Sequence, residues 1–422
     1  MRELPARVAS WDKEILVKIC DVAIVGSGPN GLSIAAHLQA RGLNYHVFGK
    51  PMDSWAAHMP EGMMLKSDGY VSNLSSPVPG FTLEAYCRRN NIPYAPEGLP
   101  IPLKTFVQYA QWFRESNVPH LDSRMVAKLD RNGDLFTLTL EDGEVCMARH
   151  VVLAAGITWY AYTPEVFAPL SRDVLSHSFG HRDVTRFKGK DVAIIGAGSS
   201  AINLGDALHQ AGANPVLVAR KETLEFNRVP DAADSTLIRR IQAPASGIGR
   251  GWKSYFCAYA PSLFYRLPQH LKDRAIASHM HPAGGFYMRD KIEGVVATSL
   301  GRSIKAAAMH DGRAVLTLAK RDGTEETASF DHVITATGFN PDFHKLPFLT
   351  KQLAERAAPG GGAPDVSDVF ETKVDGLYAV GLSAMRSFGP VMRFMMGSDF
   401  TAPHLAAHFE RTLAATRTRR AA

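Results

Sequence analysis

Along residues 22–40 a short apolar, β-branched run gives way to a glycine-rich turn and then to small apolar residues at helical spacing. The pattern predicts a strand, a tight turn and a helix over 32–40, with a returning strand at 45–48. The same order recurs at 192–219, where a second apolar run, a glycine turn and a helix lead to a strand at 215–219. Later in each half, polar and apolar residues alternate as in a β-meander. Residues 124–156 are punctuated by Asn132-Gly133 and Asp142-Gly143, and residues 304–330 by Asp311-Gly312 and Asp322-Gly323, all hairpin signals. The two meanders close on HVVLAAG and HVITATG. Repetition on this scale is stronger evidence than either glycine turn alone.

The first turn spaces Gly26, Gly28 and Gly31 as G-x-G-x-x-G, with Pro29 and Asn30 between them. In such a turn the first glycine permits the bend, the second lets a pyrophosphate approach, and the third lets helix and strand pack closely. Exposed amides and the helix dipole favour the phosphate charge. The second turn carries Gly196, Gly198 and Ala201, with Ser199 and Ser200 at the helix start. The predicted fold is therefore α/β, with two Rossmann-like dinucleotide-binding domains of three-layer ββα form, each with a β-meander. The second, 158–330, is inserted in the first, which comprises 1–157 and 331–422.

The two returning strands end differently. In the first unit the place of the usual ribose-binding acid holds Gly49-Lys50, which leaves that contact unassigned. In the second unit the strand ends at Arg220-Lys221, where an arginine meets a 2′-phosphate and a carboxylate would repel it. NADPH is thus favoured over NADH, the alternative being an exposed basic pair at a strand end.

Residues 51–102, rich in turn formers and poor in periodicity, predict irregular structure of the kind that carries a site. A helix is expected over 105–115. Residues 226–294 form an insertion rich in aromatics, which fits either an apolar lid over a substrate or a packing or dimer element. A short strand at 376–381, ending in Gly381, and a helix over 398–413 return the chain to the first domain.

At 422 residues and 45% hydrophobic content, the chain has room for two to three domains with a large core. It contains no apolar run of bilayer-spanning length, and charges scattered through the first eighteen residues leave no signal-peptide core, so a cytoplasmic protein is expected. Cys20, Cys87, Cys146 and Cys257 lie far apart without metal-site spacing, which argues against a redox dithiol and a structural metal. The net charge of +6 is dispersed among 41 acidic residues, and phosphate cofactors suffice to explain it. Arg417, Arg419 and Arg420 read as a solvated tail, with no nucleic-acid partner implied.

GSGPNG at 26–31, His177-Ser178 followed by FKGK at 187–190, GAGSSA at 196–201 and ATGFNPD at 336–342 together resemble the single-component class B flavin monooxygenases. That group includes flavin-containing, N-hydroxylating and Baeyer-Villiger enzymes. The resemblance spans 20–381 and implies FAD in the first site and NADPH in the second, with Thr337, Gly338 and Gly381 among the cofactor-binding positions. It further implies that O2 adds at the flavin C4a carbon and that the peroxyflavin gives one oxygen atom to a small organic substrate. YVSN at 70–73 is similar to the family stretch whose asparagine helps to stabilise the oxygen adduct, so Asn73 inherits that role or else caps a turn. Trp55 resembles the family's tryptophan, which fits flavin contact or packing. His177 fits a gate for NADPH or the domain linker, or an ordinary histidine; around it Ser171, Asp173 and His181 depart from the family fingerprint. Two alternatives to the oxygenase stay open: a flavin reductase passing electrons to a quinone or protein acceptor, and a catalytically idle nucleotide sensor. A homo-oligomer is compatible with all three.

Overall fold

The computed structural model describes residues 18–228, 236–279 and 282–421, with the backbone alone for 239, 240 and 416–421. The charged N-terminal stretch and the side chains of Arg417, Arg419 and Arg420 lie outside the described residues.

The strand Lys18–Val25 is central to the first sheet, and Val22, Ala23 and Ile24 are wholly buried in it. Burial on both faces is what a continuous apolar run in a parallel sheet requires. It pairs in parallel with Tyr45–Phe48 on one side and Val145–Leu153 on the other. The short strand Leu121–Asp122 extends the sheet beyond Tyr45–Phe48. Val145–Leu153 belongs to two layers at once. Its first half closes the antiparallel meander with Leu135–Leu140 and Val126–Asn132, and its last three residues pair in parallel with Leu377–Ala379. The helix Pro29–Ala40 and the long C-terminal helix Ser398–Ala421 pack together over this domain.

The second half repeats the plan. Ala297–Leu300, Asn214–Ala219, Asp191–Ile195, His332–Thr335 and Leu175–His177 form a parallel sheet in that spatial order. Its meander, Ser303–His310, Arg313–Ala319 and Glu325–Phe330, is a separate three-stranded sheet. Asp311 and Gly312 both have positive φ, 48° and 77°, in the two-residue turn between its first strands. The Asn132-Gly133 signal falls one residue early, because Asn132 still pairs with Leu135 and the turn residues are Gly133 and Asp134.

Several short elements among the described residues lie outside the expected pattern. Strands Leu175–His177 and Ala297–Leu300 complete the second sheet, and helix Leu83–Arg89 lies within the region expected to be irregular. That helix is capped by Thr82, whose hydroxyl accepts from the Ala85 amide at 3.1 Å. The insertion packs on both halves: Ala258 is in the core of the first and Tyr265 stacks on Phe388 with ring centroids 5.1 Å apart, while Met288 and Ile292 lie in the core of the second.

His37, His181 and His332 are all buried and His150 is half-buried; desolvation is the main cause lowering the pKa of each to about 4. Unfolded imidazoles titrate near about 6.5, so the unfolded chain takes up these protons first and stability is lost as pH falls from about 6.5 towards about 4. The melting temperature should therefore decline steadily below about pH 6.5. A flat profile down to about pH 5 would contradict this burial.

Candidate active site

The two glycine turns are built by the same contact. A side-chain carbon on Gly26 would overlap the carbonyl oxygen of Ala154, and one on Gly196 would lie 2.6 Å from that of Ala336. Both glycines also have positive φ, 110° and 146°. Ala154 and Ala336 each follow the strand that returns from a meander, so the meanders lock the turns from behind. A Cβ on Gly31 would overlap the Gly26 carbonyl, whereas one on Gly28 would meet nothing within 4 Å. Gly28 thus leaves its amide face open at the N-terminus of helix Pro29–Ala40, the place a pyrophosphate requires. Gly381 comes to the same turn: its Cβ position lies 3.2 Å from Asn30 Nδ2.

At the end of Tyr45–Phe48, Gly49 has φ 121° and its backbone is fully engaged: its N–H donates to Asp122 O at 2.9 Å and its carbonyl accepts from Ser27 at 2.8 Å. The neighbouring carboxylate, Asp122, is taken by Arg124, which also pairs with Asp142 and Glu144 at 2.6 and 2.5 Å. The Arg124 hydrogen bond is the largest cause holding the Asp122 carboxyl below its usual pKa.

In the second turn Gly198 opens the helix Ser199–Gln210. The Asn203 amide donates to Ser199 O at 2.8 Å, fixing Ser199, while Ser200 is exposed. Pro282 of the insertion lies 3.6 Å from the Cβ position of Gly198, so this turn is partly covered where the first is open. The basic pair beyond the strand divides its labour. Lys221 is paired with Glu225 at 2.5 Å, and Arg220 is exposed with no ion pair among the described residues. Residues 221–225 are not helical, so the pairing of Lys221 with Glu225 had no periodic signal in the sequence.

The two chain crossings between the halves run side by side. Ala161 and Phe339 form an antiparallel bridge, Tyr162 N–H donates to Gly338 O at 3.0 Å, and Asn340 N–H donates to Tyr160 O at 2.7 Å. Thr337 donates its hydroxyl to Tyr162 O. Tyr160, buried, ties this ribbon to Ser383 at 2.9 Å, two residues beyond Gly381. His177 is saturated by the same ribbon. The Phe179 amide donates to Nδ1 at 3.1 Å, which leaves Nε2–H to donate to Gly338 O at 3.0 Å. Desolvation is the main cause lowering its pKa. Thr337, Gly338 and His177 are therefore brought together as linker contacts.

Asn73 is also engaged: its carbonyl oxygen accepts from Leu83 N–H at 2.8 Å, and one Nδ2 proton goes to Tyr70 O at 2.9 Å. That geometry is turn capping, with one Nδ2 proton left over. Trp55, half-buried in the short helix Asp53–Ala56, packs on Phe106 with centroids 4.9 Å apart. Sequence reasoning missed Tyr160, whose hydroxyl meets Ser383 only once the two halves are folded together. Among the described residues no cluster of His, Cys, Asp or Glu fits a metal ion, and no helix is long and apolar enough to cross a membrane.

A model of the family described as pyridine nucleotide-disulphide oxidoreductase matches residues 23–240, more than half of the chain. The chain belongs to that family. It is 28% identical over 203 residues to the indole-3-pyruvate monooxygenase YUCCA1 of Oryza sativa subsp. japonica, covering 47% of each chain. It is 29% identical over 209 residues to the ferredoxin–NADP reductase 2 of Chloroherpeton thalassium, covering 49% of this chain and 53% of the relative. The match thus spans about half the length of these curated relatives. Its fold is that of the ornithine N-hydroxylase of Kutzneria sp. 744, solved as KtzI-FADred-NADP+-L-orn, with a TM-score of 0.72 at 15% identity over 93% of this chain and 99% of that one.

The contrast between Gly28 and Gly31 is testable. Gly31→Ala forces the helix off the strand and should lower the melting temperature or prevent folding. Gly28→Ala should melt as the parent does but retain far less FAD per chain after gel filtration. Parental FAD content in Gly28→Ala would overturn the assignment of the open amide face.

Proposed function

We propose that the chain is an FAD- and NADPH-dependent monooxygenase that places one oxygen atom of O2 on a small organic substrate. The observation that carries this reading is the second glycine turn, built like the first in the same chain, with Arg220 standing exposed beyond its returning strand. The first turn fits FAD: Gly26 and Gly31 shape it, Gly28 leaves a cradle that a methyl group would fill, and Pro29, Asn30 and Gly381 line it. NADPH would be held by Gly196, Gly198, Ser199, Ser200 and Arg220, with Lys221 kept aside by Glu225. The domains so defined are 1–157 with 331–422, and 158–330.

Bound FAD supplies two-electron redox chemistry and reactivity toward O2, and NADPH supplies the hydride. The protein's part is to orient the two cofactors, exclude water and place hydrogen bonds. Asn73, its amide fixed by Tyr70 and Leu83, keeps one Nδ2–H that would serve the reacting oxygen; Trp55 would support that region by packing; His177 would fix the linker through Gly338. FAD and NADP+ in the structural relative, and the activity named for the rice relative, support the reading. Likeness to a ferredoxin–NADP reductase supports a second one, in which electrons leave for a quinone or protein acceptor.

The two separate by product. With NADPH and 18O2, a panel of amines, ketones, sulfides and aromatic acids should yield at least one compound heavier by a single labelled oxygen, with hydrogen peroxide falling short of the NADPH consumed. Peroxide equal to NADPH throughout the panel, together with rapid reduction of ferredoxin or quinone, would overturn the oxygenase in favour of the reductase.

A further inference from the structure

Ser33 stands in the second turn of the helix that opens at Gly28, and it is wholly buried. A serine in a helix interior gives up propensity, and bonding back to its own backbone destabilises the helix slightly. Here the hydroxyl does more than bond back. It donates to the Pro29 carbonyl at 2.7 Å and accepts the Ser75 amide at 3.0 Å. One turn further on the same face, His37 places Nε2 3.1 Å from Ser75 Oγ, so the helix holds Ser75 by backbone and by side chain.

Ser75 Oγ is also hydrogen-bonded to Asp399 of the C-terminal helix. A carboxylate only accepts, so Ser75 donates to it and His37 donates to Ser75 through Nε2–H. The bare nitrogen of His37 is then Nδ1, which is buried with no hydrogen-bond partner among the described residues. Burial keeps this imidazole neutral, its pKa lowered to about 4. Apolar side chains at 33 and 37 would fill the space more cheaply, but bonded polar groups specify one arrangement where apolar packing tolerates several.

The segment docked in this way carries Asn73 two residues earlier. Between them, Leu74 N–H donates to the Tyr109 hydroxyl at 3.0 Å, and that hydroxyl donates to Phe81 O at 2.9 Å. Residues 73, 74 and 75 are each held by a different element. Asn73 is bonded to the start of helix Leu83–Arg89, Leu74 to helix Leu103–Asn117, and Ser75 to helix Pro29–Ala40. Of these three contacts, the bond from Ser75 to Ser33 is the one that leads back to the phosphate turn, through Pro29.

We propose that Ser33 is a positioning residue of the flavin site, setting where Asn73 stands relative to FAD held at Gly28. The pyrophosphate of the cofactor would lie at Gly28 and Pro29, and its reacting end at Asn73. Ser33 joins those two places by two short hydrogen bonds, so a shift at one is passed to the other. That Asn73 serves a reacting oxygen rests on the function proposed above; the link from turn to segment does not.

Ser33→Ala spares the Gly28 amides and should keep the parental FAD content per chain after gel filtration. In the FAD-loaded enzyme, hydrogen exchange over 72–76 should quicken about fivefold, as expected for one neutral hydrogen bond, while 83–89 and 103–117 stay within about twofold. Visible circular dichroism of the flavin should change in Ser33→Ala and in Asn73→Ala, and the double variant should match Asn73→Ala alone, as for residues that act in series. During turnover, the share of NADPH lost as hydrogen peroxide should rise at least about twofold in all three, with the rate of flavin reduction within about twofold of the parent. Ser33→Cys keeps the volume and gives up most of the hydrogen bond, so it repeats the test should Ser33→Ala not fold. Flavin dichroism unchanged in Ser33→Ala or in Asn73→Ala, or effects that simply add in the double variant, would overturn the proposal. If no compound is oxygenated while exchange and dichroism follow this pattern, the positioning role stands and the oxygenase falls; oxygenation with dichroism and peroxide unmoved by Ser33→Ala would do the reverse.

Discussion

A backbone carbonyl pressed against a glycine is the contact on which both halves of this protein depend. Ala154 meets Gly26 and Ala336 meets Gly196 at distances no side chain would tolerate. Each carbonyl closes a strand that has just returned from a meander, so turn, parallel sheet and meander must be in place together for the contact to form. The turn's amides are then held where a phosphate can reach them, without reorganisation on binding. Glycine at these places is demanded twice over, by positive φ and by proximity.

The halves are joined with comparable economy. Two linkers, near 160 and near 338, form a short hydrogen-bonded ribbon, and Tyr160 ties it to Ser383 beside the first turn. His177 spends both ring nitrogens there, on Phe179 N–H and Gly338 O. An imidazole so satisfied is a positioning group, and its lowered pKa keeps it in the neutral form that this pair of bonds requires.

Much of this was legible in the sequence because it recurs: glycine spacing, hairpin punctuation and the closing runs HVVLAAG and HVITATG carry the same physical demands twice. The expected strand 45–48 and the helix over 398–413 are both present. The elements that escaped had weak local signals. Leu175–His177 and Ala297–Leu300 are short, half-polar strands whose place is set by neighbours in the sheet. Leu83–Arg89 is one helix among turn formers, made by a Thr82 cap. Tyr160 carries no motif, since its partner Ser383 lies far along the chain and meets it only in the fold.

On the function we propose, the two turns in one chain serve one electron transfer, with Arg220 selecting the donor. Anaerobic rapid mixing of FAD-loaded enzyme with NADPH measures it directly. Flavin absorbance should bleach faster with NADPH than with NADH, and Arg220→Ala should slow the NADPH reaction at subsaturating concentration while leaving NADH unchanged. Flavin that stays oxidised with either donor, or an Arg220→Ala variant that affects both alike, would contradict it.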